Sequence, residues 1–163
     1  MSGELCLLNH QRTRRIDRRV LRRMIRHLLT ELFLLDDFDL TIHLVSATKM
    51  TRLNETHLQH AGSTDVITFD YSSIDPVPLL AGEIFVCVDE ALIQAHRFRV
   101  TWQAELVRYI IHGILHLQGH DDLQPAARRR MKREEGQRLR EMASDFHLSK
   151  LQGKPLPVSK SPK

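Results

Sequence analysis

Two periods divide this chain. Between Phe38 and Ser46, in FDLTIHLVS, Leu40, Ile42 and Leu44 alternate with Thr41, His43 and Val45. That is the period-2 pattern of a strand with one buried face. From Asp17 the apolar residues fall instead at Val20, Leu21, Met24, Ile25, Leu28, Leu32 and Leu35. This is the stripe of an amphipathic helix. Further strands are predicted over ELCLLN (Glu4–Asn9), DVITFDY (Asp65–Tyr71) and EIFVCV (Glu83–Val88), all rich in branched or aromatic side chains. Ser46 is placed to cap a helix through His57, with Met50 and Leu53 inward. Asp89 caps a short helix through Phe98, and Thr101 caps one carrying Trp102, Leu106, Ile110 and Leu117. Pro125 suits the first turn of a last helix ending near Phe146, since a proline there removes only an unpaired donor. SSIDPVPLLAG reads as a loop, marked by Pro76, Pro78 and Gly82.

The order βαβαββααα, with no internal repeat, predicts an α+β fold: a single domain over residues 1–150, with a small mixed sheet of about four strands packed with helices. The last stretch, 151–163, is rich in Pro, Ser and Lys and reads as a disordered basic tail.

Composition narrows this picture. The 163 residues suffice for one cored domain, and 42% hydrophobic with 27% charged residues is ordinary for a soluble one. The most apolar stretch, Leu28–Leu35, is far shorter than the roughly 20 residues of a membrane span. The start, MSGELCLLNHQRTRR, has no apolar core ahead of its charges, so no secretory leader is expected. Cys6 and Cys87 form neither a disulfide framework nor a CxxC motif, which suits the cytoplasm. Nothing in the pattern calls for an obligate oligomer.

Charge adds a question of partners. The net charge is +4, and Arg12, Arg14, Arg15, Arg18, Arg19, Arg22, Arg23 and Arg26 crowd one segment. Arg128, Arg129, Arg130, Lys132 and Arg133 form a second run. Such runs either bind phosphates or form solvated helix faces.

The densest chemistry lies in HGILHLQGHDD, residues 112–122. His112 and His116 are four apart, so they share a helix face with Cβ atoms roughly 5–6 Å apart. Two imidazoles so placed can meet one ion at about 2.0–2.1 Å each. His120 cannot join by simple continuation, because eight residues of helix span about 12 Å. Gly119 sits where a helix ends, since glycine takes the left-handed conformation at little cost. One residue of His120, Asp121 and Asp122 can then fold back over the pair. The spacing H-x-x-x-H-x-x-G-x-x-D, ending at Asp122, is that of glycine-turn zinc sites of the metzincin kind, where the last residue is His or occasionally Asp; His120 remains the alternative third ligand. Zinc proteases place a glutamate after their first histidine as general base. Here that position is Gly113, which removes the base and lets a neighbouring backbone come close to the helix.

The same stretch resembles the signature of the bacterial YbeY family, H-G-x-L-H-x-x-G-[YF]-D-H. LNETHLQHAGSTDVITF (Leu53–Phe69) is similar to that family's L-N-x-x-[YF]-R-x-x-D-x-P-T-[DN]-V-L-S-F, and GEIFVCVDEA (Gly82–Ala91) to its strand and helix start. The likeness covers roughly Leu40 to Met142. It implies an α+β domain with a zinc-type site of three ligands, at the end of a core helix, with an open coordination position. It also implies a metal-dependent, single-strand-specific endoribonuclease of ribosomal RNA maturation and ribosome quality control.

Carried over by position, the ligands are His112, His116 and Asp122, holding one Zn²⁺ or another divalent ion. The partners are single-stranded rRNA and the ribosome or its small subunit. Three departures stand out: Asp122 replaces the family's third histidine, with His120 at its aromatic position; Leu58 replaces an arginine, flanked by His57 and His60; and Ser63 replaces a proline. Asp121, Asp65 and Glu83 are candidates to orient an imidazole. No catalytic side chain is singled out. A ribosome-associated RNA-binding factor with a structural or vestigial metal is the alternative. A peptidase of unusual type is disfavoured by Gly113.

Overall fold

Asp17 starts the first helix: its carboxylate accepts the backbone N–H groups of Arg19 and Val20 at 3.1 and 3.2 Å. In the computed structural model, which describes residues 3–57, 64–72 and 80–153, this helix α1 covers Arg18–His27 and widens into one π turn over Leu28–Leu32. Leu34, at φ 55°, ends it and turns the chain towards the sheet. The apolar stripe faces inward, with Leu21, Met24, Ile25, Leu28 and Leu29 buried.

The four strands are β1 (Glu4–Asn9), β2 (Phe38–Val45), β3 (Val66–Asp70) and β4 (Leu80–Cys87). They lie in the order β1-β2-β4-β3. β1 and β4 run parallel to β2, and β3 runs antiparallel to β4. The remaining helices are α2 (Ala47–His57), α3 (Val88–Phe98), α4 (Trp102–Leu117) and α5 (Pro125–Asp145). The fold is thus a single α+β domain with a four-stranded mixed sheet, as the pattern predicts.

The alternation in β2 is realised as far as Leu44: Leu40, Ile42 and Leu44 are fully buried in the main core, with Ile84 of β4 and with Ile110 and Ile114 of α4, while Val45 is fully buried too. A smaller cluster of Val45, Met50, Leu53, Ile67 and Cys87 joins α2 to the sheet. α4 packs on β3 and β4, and α5 packs on α4. The end of α4 is therefore held from both sides.

The structure corrects two expectations. β4 begins at Leu80, three residues before the predicted Glu83, because its register with Phe38–Val45 extends over the whole of β2. Asp89 does not cap its own helix, which starts at Val88 behind Cys87. Its carboxylate accepts from Ala47 N–H at 2.6 Å, and so caps α2 from across the fold. The first residues after 150 pack on the fold. Leu151 is wholly buried, its carbonyl accepts from Asp17 N–H at 2.9 Å, and Gln152 bridges Ile16. The packed unit runs on through Gly153, and the rest of the expected tail lies outside the described residues.

Candidate metal centre and its surroundings

Thr101 caps α4 as expected, its hydroxyl accepting from Ala104 N–H at 3.2 Å. Gly113 lets this helix lie close on β4. A Cβ there would sit 2.7 Å from Ile84 Cγ2, so the close neighbour is a side chain and not the backbone expected. At the C-terminal end Gly119 takes φ 95°. Its N–H donates to the His116 carbonyl, and His120 N–H donates back to the Leu115 carbonyl, each at 3.0 Å. These paired bonds close the last turn and reverse the chain.

The reversal brings His112, His116 and Asp122 together, with one donor atom from each lying within 4.8 Å of the others. The two Nε2 atoms are 3.0 Å apart, and His116 Nε2 is 4.0 Å from Asp122 Oδ2. Donor atoms of a tetrahedral zinc ion are about 3.3 Å apart, given bonds of roughly 2.0–2.1 Å. The imidazoles are therefore already at ligand spacing. Asp122, with 45% of its side chain exposed, has room to close the remaining gap.

The hydrogen bonds around the pair fix its chemistry. His112 Nδ1 pairs with Glu135 Oε1, and His116 Nδ1 lies 3.1 Å from the His120 carbonyl. A carboxylate and a carbonyl only accept, so each Nδ1 carries the proton. In neutral imidazoles both Nε2 atoms are then bare lone pairs facing one another. Such an arrangement repels unless a cation or a shared proton lies between them. A divalent ion fits this donor set: two nitrogens and one carboxylate oxygen suit zinc.

Electrostatics separate the two histidines. Burial lowers the pKa of His112, but the hydrogen bond and charge of Glu135 outweigh it and leave His112 above the usual imidazole value. Burial and the neighbouring His112 hold His116 below it. Glu135 is itself buried, as is Glu105, and Arg108 is paired with Glu105 and lies 3.9 Å from Glu135. Without that guanidinium, two carboxylates would be sunk beside one another with little compensation.

Glu135 is the residue that sequence reasoning missed. A signal exists: it sits in the inward row Met131, Glu135, Met142 of a helix whose other charges are exposed or half-buried. A carboxylate on a buried face demands a partner.

The other candidates lie elsewhere. His120 offers its backbone carbonyl, and its ring is not in the cluster. Asp121 accepts from Leu123 N–H at 3.2 Å. Glu83 lies 3.2 Å from His43 Nε2 and accepts from the Tyr71 hydroxyl at 3.0 Å. Asp65 accepts from Val66 N–H at 2.8 Å and borders the cavity beside His112, adding negative potential there. His57 meets Phe69 edge-on at 5.6 Å. Leu58, His60 and Ser63 lie outside the described residues.

Comparison with known proteins bears on the family and the fold. A family model described as "Endoribonuclease YbeY" matches residues 7–143. Proteins of that name from Chlorobium luteolum and Salinibacter ruber are 41% and 35% identical over 91 and 107 residues. The matches cover 56% and 61% of this chain and 64% and 68% of those proteins. The chain thus spans about two thirds of their length or slightly less. A solution structure of a Thermotoga maritima protein superposes with a TM-score of 0.64 at 24% identity, covering 96% of this chain and all of that one, and so shares the fold.

Proposed function

The chain belongs to the YbeY family, and from that premise we propose that it is a metal-dependent, single-strand-specific endoribonuclease acting in ribosomal RNA maturation and ribosome quality control in the cytoplasm. One observation carries the reading: the two Nε2 atoms lie 3.0 Å apart, and each ring's Nδ1 is held by an acceptor, Glu135 on one side and the His120 carbonyl on the other. His112, His116 and Asp122 are the ligands, and Zn²⁺ is the ion their chemistry suits best. A divalent ion held there supplies positive charge against a phosphodiester and lowers the pKa of water.

The chain's own residues prepare that site. Glu135 and the His120 carbonyl fix the tautomers and the ring planes, which keeps Nε2 free on both rings. Arg108 holds Glu135 in place and offsets its charge. The Gly119 turn delivers Asp122. Three protein ligands are the number found where a fourth position is left for water or substrate. Among the described residues no helix is long and apolar enough to cross a membrane.

Elemental analysis of protein purified without chelator or metal-affinity resin, followed by incubation with single-stranded and duplex rRNA fragments, tests the proposal. The expected result is one divalent ion per chain and cleavage of the single strand, lost in His112→Ala, in His116→Ala and on chelation. Cleavage that survives both variants and chelation overturns it. Equal RNA binding by wild type and variants, with no cleavage by any, selects the RNA-binding factor instead.

A further inference from the structure

Beside His112 and Asp122 lies a cavity of about 200 Å³ that ligand geometry alone does not use. Three carboxylates, Asp65, Asp122 and Glu135, line it together with three cations, Arg108, Arg128 and Lys132. The cavity is therefore balanced in charge while the imidazoles are neutral. A divalent ion on the triad would make it positive, at the place where a polyanion meets the site.

The three cations are not equivalent. Arg108 is committed to Glu105 and Glu135. Arg128 is exposed, and its Nε donates to the Asp122 carbonyl at 3.1 Å, which orients the guanidinium beside the ligand loop. Lys132 is exposed one turn further along α5. Residues four apart share a helix face, and buried Met131 and Glu135 anchor that face against α4. Arg129 and Arg133, on the same helix, do not line the cavity.

We propose that Arg128 and Lys132 form a phosphate-binding subsite, taking a backbone phosphate of the same single RNA strand that reaches the metal centre. This rests on the endoribonuclease reading. Arg128 offers a planar fork to phosphate oxygens and Lys132 a mobile point charge. Both contacts are independent of base identity, so the subsite adds affinity and register without sequence preference. Its strength is linked to metal occupancy, because the ion tips the charge of the shared cavity, and the linkage is reciprocal.

The test uses the metal-loaded full chain and a labelled single-stranded RNA decamer, with binding read by anisotropy across a range of salt. Arg128→Gln with Lys132→Gln is expected to weaken RNA binding roughly tenfold or more, and to flatten the salt dependence by about 0.7 per lost contact. Bound metal stays at one ion per chain. Arg129→Gln with Arg133→Gln, the control for general basicity and folding, keeps most of the affinity. Inorganic phosphate competes with the decamer on wild type and not on the cavity pair. Removing the metal shrinks the difference between wild type and the cavity pair.

Unchanged affinity and salt slope in the cavity pair, with wild type still cleaving RNA, overturn the subsite and leave the endoribonuclease reading intact. Phosphate binding that depends on Arg128 and Lys132, with no binding or cleavage of RNA by wild type, overturns the RNA assignment and the endoribonuclease reading together.

Discussion

Two regions of this chain are dense in arginine, and they differ in what their charges meet: the hollow beside Arg18, Arg19 and Arg22 holds no carboxylate or imidazole, whereas the one beside Arg128 and Lys132 holds both. On α1 the side chains of Arg18, Arg19, Arg22, Arg23 and Arg26 are exposed on the face opposite the apolar stripe. Two of them turn back on the fold's own backbone: Arg22 donates to the Leu5 carbonyl at 2.8 Å and Arg26 to the Gly3 carbonyl at 3.4 Å. At the α4–α5 junction, cations, carboxylates and imidazoles converge on one space, and each imidazole is pinned by a hydrogen bond. Charge density alone makes a solvated face. Convergence on groups of fixed orientation makes a site.

The largest expected effect removes the convergence itself. Structural zinc sites are worth about 10–16 kcal/mol over all their ligands. Loss of one imidazole, in His112→Ala or His116→Ala, then costs roughly 3 kcal/mol, a hundredfold or more in metal affinity. Competition against a chromophoric chelator measures this. Affinity within a few fold of wild type in both variants would show that the pair is not a ligand set, and the contrast with α1 would collapse.

Next in size is the support of the pair. Glu135→Gln keeps the shape of the side chain and removes its charge. Outer partners of ligating histidines are worth about 10–100-fold in metal affinity, and that loss is expected here. The pH dependence separates orientation from mere packing. Glu135 holds His112 above its usual pKa, so a proton competes with the ion for Nε2 at a higher pH than normal. Metal uptake is therefore lost as pH falls through that raised value. Without the carboxylate the His112 pKa falls, and the midpoint of uptake moves down in pH even though the maximal affinity is lower. A midpoint that stays put would leave Glu135 a packing residue only.

These three variants also mark how far the sequence could be read. His112, His116 and Gly119 were legible because helix period and glycine conformation act within a few residues. Asp122 was legible by spacing alone. Glu135 was not, because its partner is 23 positions earlier on another helix, and the basic run around it suggested a solvated face. Asp89 was misread for the same reason. Ser46 caps α2 locally as expected, accepting from Lys49 N–H at 3.3 Å, but the second acceptor at that N-terminus, Asp89, comes from α3, 42 residues away. Leu151 sits in a stretch whose composition is that of a loose tail, and only tertiary packing against the Ile16 and Asp17 segment makes it core. Short-range rules drew the strands and helices. Contacts between distant segments decided which polar groups do chemistry.

A smaller effect tests the platform under the site. In Gly113→Ala the added methyl would meet Ile84 Cγ2 at 2.7 Å and Cδ1 at 3.0 Å. α4 must then lift from β4 or Ile84 must change rotamer. Overpacking of this kind costs about 1–3 kcal/mol, read as a lower denaturant midpoint at unchanged slope. Metal affinity should fall less than in Glu135→Gln, since neither imidazole loses its partner. Unchanged stability would mean that the helix has slack, and that glycine is not what sets its distance from the sheet.

The smallest effect belongs to α1, and it probes the comparison from the other side. Arg19→Gln with Arg23→Gln removes two exposed charges from a helix whose buried stripe is untouched. Surface changes of this kind stay within about 0.5 kcal/mol in stability. Metal content should not change, because neither residue belongs to the metal cluster or borders its cavity. RNA affinity responds only if the strand crosses this face. A crossing would lower the salt slope by up to about 0.7 per contact, and that deficit would be the same with and without metal, since no linkage runs through the triad. The deficit at Arg128 and Lys132 should instead grow when the metal is bound. If the α1 pair shows the larger, metal-dependent loss, the arginine face is the functional surface, and convergence at the cavity is not what selects the strand.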